Sequence, residues 1–370
     1  MESYKIIDAD AHMCEPPQVW TERLERRFRD RAPRIVRNFA GQKGEFFVVD
    51  RHNNMRVAGV FAAGQTFDEK FLESGLDSAL PGGWDPAARL KDMEIDGVEC
   101  AVLYTTFGFA LFRIEEPEFQ QACFRAYNDW LAEFVNYAPD RFAGLGLISL
   151  YDPDEGAKEL ARCRKIGLKG GLIWASPPAE RPYHLPLYDS LWAVAQDNEM
   201  PLSLHLGTAK HDSLAETDRA LFYTRAVART LDVQNTILSM IFGGVFERFP
   251  GLKIVSAEND IGWVPFLMER ADKYYRRWKQ GYSISLSLKP SEYFARQVYA
   301  TFIDDPEGIR TYTHFSAGRT NFMWSTDYPH QAATWPHSRE VVERDFQNVP
   351  PEDRRRLIRE NAAHLYGFTV

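Results

Sequence analysis

Cysteine is scarce in this chain: 4 in 370 residues, with no CxxC pair. Cys14, Cys100, Cys123 and Cys163 show no close spacing and read as reduced thiols. No apolar run approaches the roughly 20 residues that span a bilayer. The first ten residues hold no long apolar stretch, so no secretory leader and a cytoplasmic location are expected. A basic excess is missing too: Lys plus Arg is 44 against 52 Asp plus Glu, a net charge of −8. That balance argues against a nucleic-acid partner. There is no P-loop, no GxGxxG after a strand and no GxSxG elbow, which removes nucleotide binding and serine-hydrolase chemistry.

What is present is a large globular composition. Hydrophobic residues make up 45% and charged residues 26%, and aromatics reach 14% with 9 Trp. Aromatics at that level suit a large core and an aromatic-lined pocket for a small molecule. Eight short apolar segments read as strands: 4–12, 98–106, 142–150, 168–176, 200–207, 252–259, 297–303 and 321–328. Most are apolar along their whole length, as strands buried on both faces are. Helical segments separate them. Those starting at Asp85 and Asp152 open with Asp then Pro, a helix start signal. Residues 218–249 read as one long helix, and 351–366 as the last. Eightfold strand–helix alternation predicts a single-domain (β/α)8 TIM barrel over residues 1–370. One stretch breaks the alternation. Residues 30–84 form an insertion after strand one, with a hairpin around Asn53–Asn54. In a barrel that insertion falls on the catalytic face, where it can cover the mouth as a lid.

Polar residues gather at the C-terminal ends of these strands. Strand one ends in Asp8, Asp10 and His12, two apart and so on one face. Strand five ends at His205, strand six at Glu258 and strand eight at Asp327, with His330 just beyond. Taken singly, His205 reads as a hydrogen-bonded core histidine, Asp327 as a turn cap and Glu258 as a solvent-facing strand end. Together they converge on the mouth where barrel active sites are built. Imidazoles and carboxylates crowded there are costly unless paired or metal-bound, and a divalent metal is the economical solution. Asp8, deepest in the barrel, is expected to be a structural hydrogen-bond acceptor.

These motifs resemble the amidohydrolase superfamily, in its amidohydrolase-related branch. That branch includes aminocarboxymuconate-semialdehyde decarboxylase and metal-dependent aromatic-acid decarboxylases. The similarity rests on IIDADAHMCEPPQVW (6–20), PLSLHLG (201–207), FPGLKIVSAENDIGWVPFLMERAD (249–272), STDYPH (325–330) and ENAAHLYGF (360–368), in the family's order. The resemblance implies Asp10, His12, His205 and Asp327 as metal ligands, with Asp327 also carrying a proton. It places Glu258 where the decarboxylases often have His, so Glu258 is a further ligand or catalytic group. The carboxylate-rich set fits Zn, Mn or Fe, as one ion or two.

Other residues are weighed beside these. His330 is close enough to Asp327 to act catalytically, and His337 lies further along the same loop. Arg51 and Arg56 in the hairpin are candidates for binding a substrate carboxylate. Glu15 either reaches the metal or caps the next helix. The segment KYYRRWKQ (273–280) reads as an outer helix face or a subunit contact, and a homo-oligomer is expected. The expected function is metal-dependent hydrolysis or non-oxidative decarboxylation of a small, carboxylated organic substrate. The alternatives are a dinuclear iron or manganese oxygenase on the same barrel, and a non-catalytic partner of an active paralogue.

Overall fold

A computed structural model describes residues 4–50, 53–66, 68, 70–210 and 219–369. Eight parallel strands form the barrel sheet: β1 (Ile6–His12), β5 (Val98–Tyr104), β6 (Phe142–Leu147), β7 (Gly170–Ile173), β8 (Leu202–His205), β9 (Ile254–Ala257), β10 (Val298–Phe302) and β11 (Phe322–Trp324). They pair in chain order, and all eight expected strands are found. The sheet closes where β11 returns to β1. Asp327 N–H donates to Asp10 O at 3.1 Å and His12 N–H to Tyr328 O at 2.6 Å. Asp8 fastens the same seam, accepting from Thr326 N at 2.9 Å and from the Thr326 hydroxyl.

Every residue of these strands is buried except Glu99, which is partly exposed. Burying one such aliphatic side chain contributes about 1.5–3 kcal/mol, so the apolar runs are themselves the driving force for closure. The helices start where expected. Asp85 accepts from Ala88 N ahead of Pro86–Asp96, and Asp152 from Asp154 N and Glu155 N ahead of Pro153–Lys165. The long helix expected over 218–249 is instead Arg219–Ala228, Thr230–Phe242 and Val245–Arg248, Asp218 lying outside the described residues. Gly244 takes a left-handed φ of 74° and breaks the last two apart. Among the described residues no helix is long and apolar enough to cross a membrane.

The insertion folds as a three-stranded antiparallel sheet: β2 (Arg34–Arg37), β3 (Glu45–Val48) and β4 (Asn54–Arg56). The expected hairpin is β3–β4. Its Phe47 stacks on Phe107 of the loop after β5, with ring centroids 4.7 Å apart. Ala63 N–H donates to Pro329 O in the loop after β11 at 3.1 Å. The insertion thus rests on loops at the C-terminal mouth of the barrel.

Candidate metal centre

The pleat of β1 sends Asp10 and His12 inward together, and both are buried. β8 delivers His205 from across the barrel, its ring centroid 5.1 Å from that of His12. Glu258 and Asp327 follow the last residues of β9 and β11, each with a left-handed φ, 54° and 58°. Such a backbone costs on the order of 1–3 kcal/mol for a residue other than glycine. Here it turns both carboxylates toward the barrel axis.

The contacts are short and mutual. His12 Nε2 lies 3.5 Å from Asp10 Oδ1 and 3.4 Å from Asp327 Oδ1. His205 Nε2 lies 3.3 Å from Asp10 Oδ1 and 3.4 Å from Glu258 Oε2. His330 stacks on His12 with centroids 4.0 Å apart and sets Nδ1 2.7 Å from Asp327 Oδ1. Donor atoms of Asp10, His12 and His205 lie within 4.8 Å of one another, as do those of His12, Glu258, Asp327 and His330. Glu258 and His330 keep 27% and 12% of their side chains exposed. The other donors are buried, so the exposed edge of the group runs along Glu258 and His330.

The imidazoles are oriented from behind. His12 Nδ1 lies 2.8 Å from Thr105 O, and His205 Nδ1 2.8 Å from Leu206 O. A carbonyl only accepts, so each Nδ1 carries a hydrogen and each Nε2 is the nitrogen turned toward the other donors. The Nε2 of His12 is buried with no hydrogen-bond partner. A buried orphaned lone pair is costly, and a metal ion removes that cost.

The electrostatics agree. Burial, with His330 and His205 alongside, drives the His12 imidazole well below its ordinary range. Burial and the neighbouring Asp327 push Glu258 well up, and burial with Asp10 does the same to Asp327. Burial opposes a charge on His205, but Asp10 and Glu258 outweigh it and raise the imidazole to about 9. Burial would raise Asp10, yet His205 and His12 hold it below the usual carboxylate range. Burial lowers His330 to about 3. Protons thus stand in for positive charge that the donor set demands, and a divalent cation meets the same demand in their place.

Two site residues escaped the sequence reading. The Thr301 hydroxyl of β10 accepts from Glu258 N and donates to Asp10 Oδ2, both at 2.8 Å, tying the Glu258 backbone and the Asp10 carboxylate to one strand. A lone polar residue in VYATF was the available signal. Phe109 packs on His205 at 4.7 Å between centroids and forms an apolar wall. Arg56 is not brought into this group. Its guanidinium donates to Lys43 O, Leu72 O and Gln42 Oε1 and lies over Phe46, holding the insertion together. Arg51 lies outside the described residues. His337 faces Glu340 at the surface.

A parallel barrel with imidazoles and carboxylates converging at its C-terminal mouth is the architecture of a metal-assisted barrel enzyme. The chain belongs to the amidohydrolase family, whose model matches residues 7–368. It is 27% identical over 294 residues to gamma-resorcylate decarboxylase of Rhodococcus jostii (strain RHA1), covering 75% of this chain and 86% of that protein. In fold it is similar to an amidohydrolase from Mycobacterium avium subsp. paratuberculosis K-10, with a TM-score of 0.78 at 23% identity, over 98% of this chain and 99% of the other. It is also similar to 5-carboxyvanillate decarboxylase from Novosphingobium aromaticivorans DSM 12444, solved with manganese and 4-hydroxy-3-methoxy-5-nitrobenzoic acid. There the TM-score is 0.70 at 19% identity, over 99% and 97% of the two chains.

Proposed function

We propose that this chain is a metal-dependent, non-oxidative decarboxylase of a small carboxylated aromatic substrate. The observation that carries the reading is the setting of Asp327: a buried carboxyl beside the orphaned His12 Nε2, with His330 against its Oδ1. Kinship with a decarboxylase of an aromatic acid supports it, and so does the manganese bound by the 5-carboxyvanillate decarboxylase.

Asp10, His12, His205 and Asp327 would hold the ion. A divalent metal, when bound, supplies Lewis-acid charge for anionic substrate oxygens. Phe109 gives the ring an apolar surface beside His205. Glu258, on the open edge, accepts a hydrogen bond from a substrate hydroxyl. Asp327 Oδ1 faces His12 and His330, which leaves Oδ2 to deliver a proton to the ring carbon that bears the carboxylate. As that carbon–hydrogen bond forms, the bond to the carboxylate breaks and carbon dioxide leaves, its electron pair remaining with the ring.

The test is anaerobic incubation of the manganese-loaded protein with ortho-hydroxylated benzoates in deuterium oxide. Carbon dioxide and an arene bearing one deuterium at the vacated carbon are expected. Turnover that requires oxygen, or a product that has gained water, contradicts the reading.

Supporting a homo-oligomer, Phe266, Trp278 and Tyr282 are 69%, 54% and 73% exposed. A cavity of about 350 Å³ lies between Phe242, Tyr274, Trp278 and Tyr282. A second copy of the chain is the occupant we infer. Light scattering should give a multiple of the single-chain mass, reduced by Trp278→Glu. A single-chain mass for the unaltered protein contradicts this.

A further inference from the structure

Glu15 lies three residues beyond His12, and its side chain is fully buried. Neither expectation for it holds. The short helix that follows, Gln18–Thr21, has Pro17 at its cap and no side-chain cap bond. Nor is Glu15 placed to bind metal, because both carboxylate oxygens are taken up by one tripeptide in the loop after β5. Oε1 accepts from the Thr105 hydroxyl and from Thr106 N at 3.1 Å, and Oε2 from Phe107 N at 2.9 Å. Burial pushes this carboxyl up while those donors pull it back.

The same tripeptide carries two contacts to the metal centre. Thr105 O receives the Nδ1–H of His12 at 2.8 Å, and the Thr106 hydroxyl meets His330 Nε2 at 2.9 Å. The first contact is the telling one. Thr105 C=O and Thr106 N–H belong to a single planar peptide unit, pointing in opposite directions. Glu15 grips one end of that unit and His12 is gripped by the other. A carboxylate on the N–H polarises the peptide, strengthens the carbonyl as an acceptor and makes His12 Nε2 a better donor.

We propose that Glu15 is a positioning residue of the metal centre, acting through the Thr105–Thr106 peptide on His12 and through the Thr106 hydroxyl on His330. Carboxylate, peptide, imidazole and metal form one relay. It does the work of the direct carboxylate–histidine pair found behind many metal ligands, with a peptide placed between the two partners. This inference rests on the ligand assignment above.

The test compares Glu15→Gln, His12→Ala and a structural control, Asp96→Asn. Asp96 is a buried carboxylate held by Ser338 N and the Ser338 hydroxyl, outside the donor set. Manganese affinity is read by competition with a chromophoric chelator, fold stability by thermal unfolding of the metal-free protein, and His12 by its Nδ1–H proton resonance. Glu15→Gln should weaken manganese binding about tenfold to a hundredfold and shift the His12 resonance upfield. Asp96→Asn should lower the unfolding temperature and leave affinity unchanged. If Glu15→Gln behaves like Asp96→Asn while His12→Ala loses metal, Glu15 is structural and the proposal is overturned alone. If His12→Ala binds manganese like the unaltered protein, the ligand assignment falls and takes the relay with it. Should Glu15→Gln fail to fold, Glu15→Asp serves. It keeps the charge but cannot reach both N–H groups, so reduced affinity is expected and unchanged affinity overturns the relay.

Discussion

His12 Nε2, at the end of the first strand, and Asp327 Oδ1, in the loop after the last, stand 3.4 Å apart at the point where the sheet closes. The seam that completes the fold is therefore also the seam that assembles the site. Asp327 N–H is bonded to Asp10 O, so barrel closure and the placement of these side chains are one structural event.

Replacing Asp327 with Asn keeps the shape but removes the proton. Turnover should fall by about 10²–10⁴-fold, the usual contribution of a positioned acid or base, with the protein still folded. Steady-state rates and circular dichroism check this. Turnover within a few-fold of the unaltered enzyme contradicts the assignment.

Metal binding should release protons. Below about 9, His205 holds a proton that a metal on Nε2 must displace. Affinity should therefore weaken as pH drops from about 9 toward neutrality, because proton and metal compete for one lone pair. Titration calorimetry at pH 7 in two buffers of different ionisation enthalpy measures the release. Identical heats in both buffers would count against it.

Asp8 is a structural clamp, not a ligand. It accepts from Asp10 N, Thr326 N and the Thr326 hydroxyl. Asp8→Ala leaves those buried donors without a partner, each costing about 1–3 kcal/mol. Denaturant unfolding of the metal-free protein should show a loss of about 3 kcal/mol or more, three such donors at the low end of that range. A loss under about 0.5 kcal/mol, typical of an unimportant surface change, contradicts the clamp.

All four cysteines are buried and free, and burial raises the thiols of each, Cys100 to about 11. A thiol reagent at pH 8 should modify none of them until the protein unfolds. Rapid modification of any one in the folded protein contradicts this.

The barrel was legible because strands buried on both faces must be apolar along their length. Its polar strand ends were legible because Asp10, His12, His205, Glu258 and Asp327 interrupt that pattern. The groups that orient them were not. Thr105 and Leu206 hold the histidines through backbone carbonyls, which any residue type provides. Thr301 looks like any β-branched strand former until its neighbours are known. Arg56 was indistinguishable from a substrate-binding arginine, since its partners are carbonyls from Lys43 and Leu72 brought near only by folding. The 218–249 segment read as one helix because its apolar spacing continues across Gly243–Gly244, where the backbone turns left-handed at Gly244.

We propose that Asp10, His12, His205 and Asp327 form one metal centre. Elemental analysis of the purified protein, with His12→Ala and His205→Ala in parallel, tests it most directly. The unaltered chain should carry close to one divalent ion per polypeptide after manganese loading and desalting, and each variant should carry almost none while remaining folded. Full metal content in either folded variant would place the ion elsewhere and contradict the account.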